Sequence, residues 1–147
     1  MREIQYNRQK VLDYAKKWAF SRNPKYYNFD PVGGDCTNFI SQCIFAGSNT
    51  MNYTKNTGWY YINGNNKSVG PYGKKVNQKE IQLGDIAQLS FNGQKFEHTL
   101  IIVNIENYFS LAGIKIASHT YDNYNKPISE YSFQKIRFVH IEGVRKY

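Results

Sequence analysis

The sequence predicts an α+β fold in which two helices back an antiparallel β-sheet, and three observations predict it. Two segments in the first third of the chain repeat apolar residues every three or four positions, four segments in the second half alternate with period two, and Gly- and Asn-containing turns separate those four. A chain of 147 residues has the length of one ordinary domain, so residues 1–147 are expected to share a single fold. Aromatic residues make up 16% of the chain, with 13 Tyr and 9 Phe, which excludes a disordered composition.

The first helical segment is QYNRQKVLDYAKKWAFSR. Val11, Tyr14, Ala15, Trp18 and Ala19 recur on one face, with Arg8, Lys10, Lys16 and Lys17 largely on the other. Asn23-Pro24 is expected to end it, because the residue before proline avoids the helical region. The second begins at Cys36: Phe39, Ile40, Cys43, Ile44 and Ala46 carry the period, and Gly47 is the expected stop. From about Ser48 to Lys79 the chain is mostly Asn, Gly, Lys, Tyr and Ser, interrupted by GWYY, and reads as a long surface excursion with aromatic anchors. Strands are expected at Asp85 to Phe91, His98 to Glu106, Ile114 to Tyr121 and Ile136 to Val144.

The net charge of +8 predicts attraction to polyanions, with a phosphate-rich wall polymer as one candidate partner. The lysines are scattered and no segment matches a nucleic-acid-reading motif, so nucleic acid is not expected. No apolar stretch reaches the roughly 18 to 20 residues of a membrane span. The segment MREIQYNRQK lacks the apolar core of a secretory signal. The chain is therefore expected to be soluble, acting in the cytoplasm or as a domain of a secreted or wall-associated protein. Nothing in the sequence predicts an oligomeric state.

FDPVGGDCTNFISQC, from Phe29 to Cys43, is the most informative stretch, because two glycines and an acid stand directly before a cysteine that opens a helix. A cysteine needed only for packing belongs inside the apolar run, where Cys43 lies. Cys36 instead falls in the first helical turn, where unpaired N–H groups and the positive end of the helix dipole can meet developing negative charge. Seven residues of helix rise about 10.5 Å, whereas disulfide-bridged Cα atoms lie roughly 4.4 to 6.8 Å apart, so both cysteines are expected as free thiols. Their spacing makes no zinc knuckle, and neither a metal nor a cofactor is expected.

A thiol is only a few per cent ionised at neutral pH and needs a base to become a good nucleophile. Three histidines are available. His98 opens one expected strand and His119 closes the next, so an antiparallel connection centred near Tyr108 and Phe109 brings them to one end of the sheet. His98 is the expected base for Cys36, and His119 the expected third member, holding the tautomer of His98 through a ring hydrogen bond; Asp122 is the alternative. The N–H of Cys36 and a hydroxyl from Tyr26 or Tyr27 are candidate oxyanion donors. Asp35 reads first as a helix N-cap and second as a substrate-binding or steering carboxylate. Thr37, Trp59 and Tyr60 are candidate substrate contacts, with Asn38 and Tyr61 beside them. His140, among the apolar neighbours of RFVHIEG, reads as a packing residue.

The segments RNPKYYNFD, GGDCTNFISQCIFAG, MNYT, GWYY, GDIAQL, FEHTLIIV and SHTYDNYNKPISEY resemble those of the bacterial putative amidase domain family, a branch of the NlpC-like papain superfamily, nearly end to end. The resemblance implies a papain-like (NlpC-type) α+β fold, with the cysteine at the head of a helix packed on an antiparallel sheet. It also implies a thiol hydrolase acting on amide bonds, commonly those of peptidoglycan, with the nucleophile at Cys36, the base at His98 and the third polar residue at His119. Two departures stand out: the stretch between GWYY and GPYGKKV is shorter than in relatives, and no glutamine lies just upstream of Cys36. Two rival readings use the same residues otherwise. An acyltransferase would pass the thioester to an amine or alcohol, and a basic wall-binding module would hold glycan by tyrosine and lysine contacts without chemistry.

Overall fold

The period-two segments of the second half pair into an antiparallel sheet, and both amphipathic helices lie on one of its faces. The computed structural model describes residues 2–50 and 69–147, together with the backbone of 52–54 and 58–60. In chain order the elements are β1 (Arg2–Ile4), α1 (Arg8–Trp18), α2 (Cys36–Ser48), β2 (Asn52–Thr54), β3 (Gly58–Tyr60), β4 (Gly70–Val76), β5 (Ile86–Ser90), β6 (His98–Ile105), β7 (Ile114–Ser118), β8 (Asn123–Pro127) and β9 (Lys135–Lys146). Among the described residues seven strands form one sheet, in the order β1-β9-β5-β6-β7-β8 with β4 also paired to β9. Val139 of β9 pairs with Ile86 on one side and Lys75 on the other. β2 and β3 make a separate antiparallel pair.

Alternation along the strands divides the core in two. Ile86, Ile101, Ala117 and Ile141 pack with Val11 and Ala15 of α1 and with Phe39, Ile40, Cys43 and Ile44 of α2. Their strand neighbours Ala87, Leu100, Ile102, Ile116 and Phe138 point to the opposite face, where Ile81 and Ile128 from the connecting segments cover them. Both faces of the central strands are therefore apolar, which explains the unbroken LIIV of β6.

Four local expectations are corrected. α1 ends at Trp18 rather than at Asn23-Pro24, because the Trp18 carbonyl is taken by the His119 ring at 2.7 Å and by the Ser21 N–H at 3.3 Å. α2 runs through Gly47 to Ser48, and Asn49 makes the left-handed cap at φ 52°; Gly47 instead lets the helices touch, since a Cβ there would lie 2.4 Å from Val11 Cγ2. Within the polar excursion, β4 is a seven-residue strand on the sheet. β8, with the unpromising sequence NYNKP, pairs with β7. Among the described residues no helix is long and apolar enough to cross a membrane.

Candidate functional site

The glycines before Cys36 are used for conformation and for close approach. Gly33 and Gly34 take left-handed φ values of 112° and 106°. A Cβ on Gly34 would come within 2.6 Å of Thr120 Oγ1. That same hydroxyl oxygen accepts the Asp35 N–H at 2.9 Å, so the turn after β7 is fastened to the start of α2. Thr120 and Tyr121 themselves sit at φ 59° and 65°, an uncommon conformation for such residues, of the kind that costs about 1–3 kcal/mol each and collects at functional sites.

Asp35 occupies the N-cap position, yet its side chain makes no capping bond. Oδ1 accepts the Phe29 N–H at 3.1 Å and the Asn38 side-chain amide at 2.8 Å, while Oδ2 lies 2.6 Å from His119 Nδ1. The carboxylate is thereby drawn away from the first turn, and the helix start at Cys36 has no side-chain cap. Cys36 is partly exposed, with Sγ 3.9 Å from the Glu97 carbonyl and 3.8 Å from Thr37 Oγ1. The thiol thus rests against the chain immediately before His98.

Cys36 and His98 line the same cleft of about 460 Å³, with Thr120, Tyr121, Lys126 and Tyr131. His98 is 6% exposed, and its ring centroid lies 5.6 Å from that of Tyr131 and 6.3 Å from that of Phe91. Burial, reinforced by the Lys126 charge, holds the imidazole below its ordinary value and favours the neutral ring, the form that accepts a proton. Among the described residues no side chain or backbone group hydrogen-bonds the His98 ring.

The ring hydrogen bond expected from His119 to His98 is replaced by other contacts. His98 lies two residues from Leu100 and so faces away from the helices, whereas His119, two residues beyond Ala117, faces them. There it stacks on Phe39 at a 3.9 Å centroid separation, with Nδ1 directed at Asp35 and Nε2 at the Trp18 carbonyl. Asp122, the alternative partner, is held instead by Arg22: Nη2 meets Oδ1 at 2.9 Å and Nη1 meets Oδ2 at 3.1 Å. Arg22 also grips Asp30 at 2.7 Å and stands 3.6 Å from Asp35. Asp35, His119, Asp122 and Arg22 therefore form one network behind the cleft rather than part of its lining.

The remaining candidates separate cleanly. Thr37 is beside the thiol but exposed, outside the cleft lining. Tyr27 is 65% exposed, meets Phe29 edge-on, gives its backbone carbonyl to Asn38 and lies outside the cleft lining. The side chains of Trp59 and Tyr60, and all of Tyr61, lie outside the described residues. Cys43 is a free thiol sealed in the core, where burial raises it well above its ordinary value. His140 pairs with buried Asp85 at 2.7 Å, away from the cleft. Sequence reasoning missed Arg22, Lys126 and Tyr131. A lone arginine after a helix and a lysine in NKP carry no spacing signal, and only the fold brings them to the site.

The chain matches the family described as "Putative amidase domain" over two overlapping stretches, residues 5–74 and 63–141. It is 33% identical over 122 residues to "Uncharacterized protein YhbB" of Bacillus subtilis (strain 168), an alignment covering 69% of this chain and 38% of that protein. The chain thus spans well under half the length of that relative. No solved structure matches it. The family match extends across both Cys36 and His98 of the cleft, and across most of the sheet and both helices: the chain belongs to the putative amidase domain family.

Proposed function

We propose that the protein is a cysteine-dependent amidase that cleaves amide bonds through a thioester, with peptide amides of bacterial peptidoglycan as the substrate class. The observation that carries this reading is the shared cleft of Cys36 and His98. His98 takes the proton from the Cys36 thiol, sulfur attacks the amide carbonyl carbon, and the oxyanion that forms is met by the uncapped N–H groups at the start of α2. The C–N bond then breaks as His98 returns the proton to the leaving amine. Water, deprotonated by His98, attacks the thioester, and the thiol leaves with that proton. Asp35 and His119 act as positioning residues, since their pairing keeps the carboxylate from capping the helix start where the oxyanion develops. The net charge of +8 supports an anionic wall as the place of action.

Labelling with iodoacetamide at pH 6, read by mass spectrometry of the adduct, tests the pair. The expected result is fast modification of Cys36 over Cys43, lost in His98→Ala. Digestion of purified peptidoglycan, with identification of new amine termini, then names the bond. Equal, slow labelling of both thiols together with intact peptidoglycan would leave a non-catalytic wall-binding domain in its place.

A further inference from the structure

Among the described residues that line the cleft, Lys126 is the cation. It comes from β8, directly after Asn125, which takes a left-handed φ of 61°. Its ammonium lies 4.1 Å above the Tyr131 ring centroid, a contact that holds the flexible stem in one direction. Among the described residues no carboxylate lies within ion-pair distance of it. The acid that shares the cleft, Glu97, is engaged elsewhere, with Oε2 accepting the Phe91 N–H at 3.0 Å. Among the described residues the cleft therefore presents apolar walls from Phe91, Tyr121 and Tyr131 and one ammonium that is in no ion pair, beside the thiol and the imidazole.

Resting on the amidase reading, we propose that Lys126 is a specificity determinant that binds a carboxylate of the substrate, so that the preferred amides carry a carboxylate close to the scissile bond. Among the described lining residues this ammonium stands without an arginine, and one such group matches a singly charged carboxylate better than a doubly charged phosphate, for which bidentate donors are favoured. The arrangement also has a consequence for the base. The same ammonium disfavours protonation of His98, and a bound carboxylate would offset it, so the base gains strength when the correct substrate arrives. A neutral amide would leave that penalty in place. Selectivity would thus enter through the chemical step as well as through binding.

Two alkylating reagents differing only in charge test this without knowledge of the natural substrate. The rate of Cys36 modification by iodoacetate is divided by that by iodoacetamide, at pH 7 and low ionic strength. Both reagents use the same thiol and base, so the ratio cancels changes in either. In Lys126→Met the ratio should fall by about three- to tenfold, the effect of one charge at close range in a partly solvated site. It should be retained in Lys126→Arg and in Lys10→Met, which removes an equal charge from the exposed face of α1. Added salt should reduce the difference between wild type and Lys126→Met. An unchanged ratio in Lys126→Met, with Cys36 still labelled in a His98-dependent manner, would overturn this inference and leave the amidase reading standing. Loss of His98 dependence in the wild type would remove both.

Discussion

Asp35 Oδ2 lies 2.6 Å from His119 Nδ1, with both side chains 1% exposed. This pair joins the residue before the thiol to the end of the sheet behind it, and the Trp18 carbonyl extends the link to the end of α1. Removing the imidazole leaves a buried carboxylate with one oxygen stripped of its closest donor. His119→Ala should therefore cost about 2–4 kcal/mol, measured by urea unfolding, with the lost Phe39 stacking included. His119→Asn, which can supply only one donor in the same place, should recover part of that loss.

The same pair predicts acid sensitivity. Burial pushes the Asp35 carboxyl upward, but hydrogen bonds from His119, Asn38 and the Phe29 N–H outweigh it and hold the group below its ordinary 3.8. Stability from this group is present above 3.8 and is lost as pH falls from there through the folded-state value, because the unfolded chain takes up its proton first. Asp35→Asn should flatten this part of the profile of unfolding midpoint against pH, while being less stable than wild type at pH 7.

His98 acts in a different window. Its folded-state value lies below the ordinary 6.5, by burial first and Lys126 second, so on acidification the unfolded chain binds a proton before the folded one does. Stability should fall as pH drops below about 6.5 and level off under the folded-state value, and His98→Gln should lack this slope. For the same reason the acid limb of Cys36 alkylation should lie below pH 6.5, where free imidazole would already be protonated. In Lys126→Met that limb should move upward.

Gly34 and Gly33 separate strain from contact. Both carry left-handed φ values, but only Gly34 has Thr120 Oγ1 in the way of a Cβ, at 2.6 Å, whereas nothing lies within 4 Å of a Cβ on Gly33. Gly33→Ala should cost about 1 kcal/mol, the strain alone. Gly34→Ala should cost about 2–4 kcal/mol and slow Cys36 labelling, because Thr120 must release the Asp35 N–H. A Gly34→Ala, Thr120→Ser double mutant should recover little, since the offending oxygen remains, whereas Thr120→Ala should recover more. A double-mutant cycle on unfolding free energies measures the coupling.

The sequence carried the parts of this molecule that depend on local pattern. The helix start at Cys36, the strands of the second half and the meeting of residue 98 with the 119–121 segment follow from periodicity and from antiparallel connection alone. What it could not carry was side-chain direction at the strand ends. His98 and His119 stand at one end of the sheet but on opposite faces, and that difference redirected His119 from the base to Asp35. Asp35 illustrates the same limit: its identity and position predict a cap, and only the fold supplies the histidine that takes its carboxylate. β4 and β8 escaped notice because their strand character comes from pairing with β9 and β7, not from apolar content.

Gly47 gives the sharpest contest between local propensity and packing. It lies one residue before the end of α2, and in an isolated helix Gly47→Ala would be favourable by up to about 1 kcal/mol. Here a Cβ would meet Val11 Cγ2 at 2.4 Å and, less forgivingly, the Asn7 carbonyl oxygen at 2.8 Å. The side chain of Val11 is fully buried, and the Asn7 backbone is fixed because its N–H donates to the Gly47 carbonyl at 2.9 Å while its side chain caps α1. Neither neighbour can retreat without moving a helix. Packing should win, with a net loss of about 1–3 kcal/mol in urea unfolding. Val11→Ala, destabilising by itself, should cost less in the Gly47→Ala background than in wild type, since it relieves the methyl contact; additive losses would show that the two helices do not meet at this glycine.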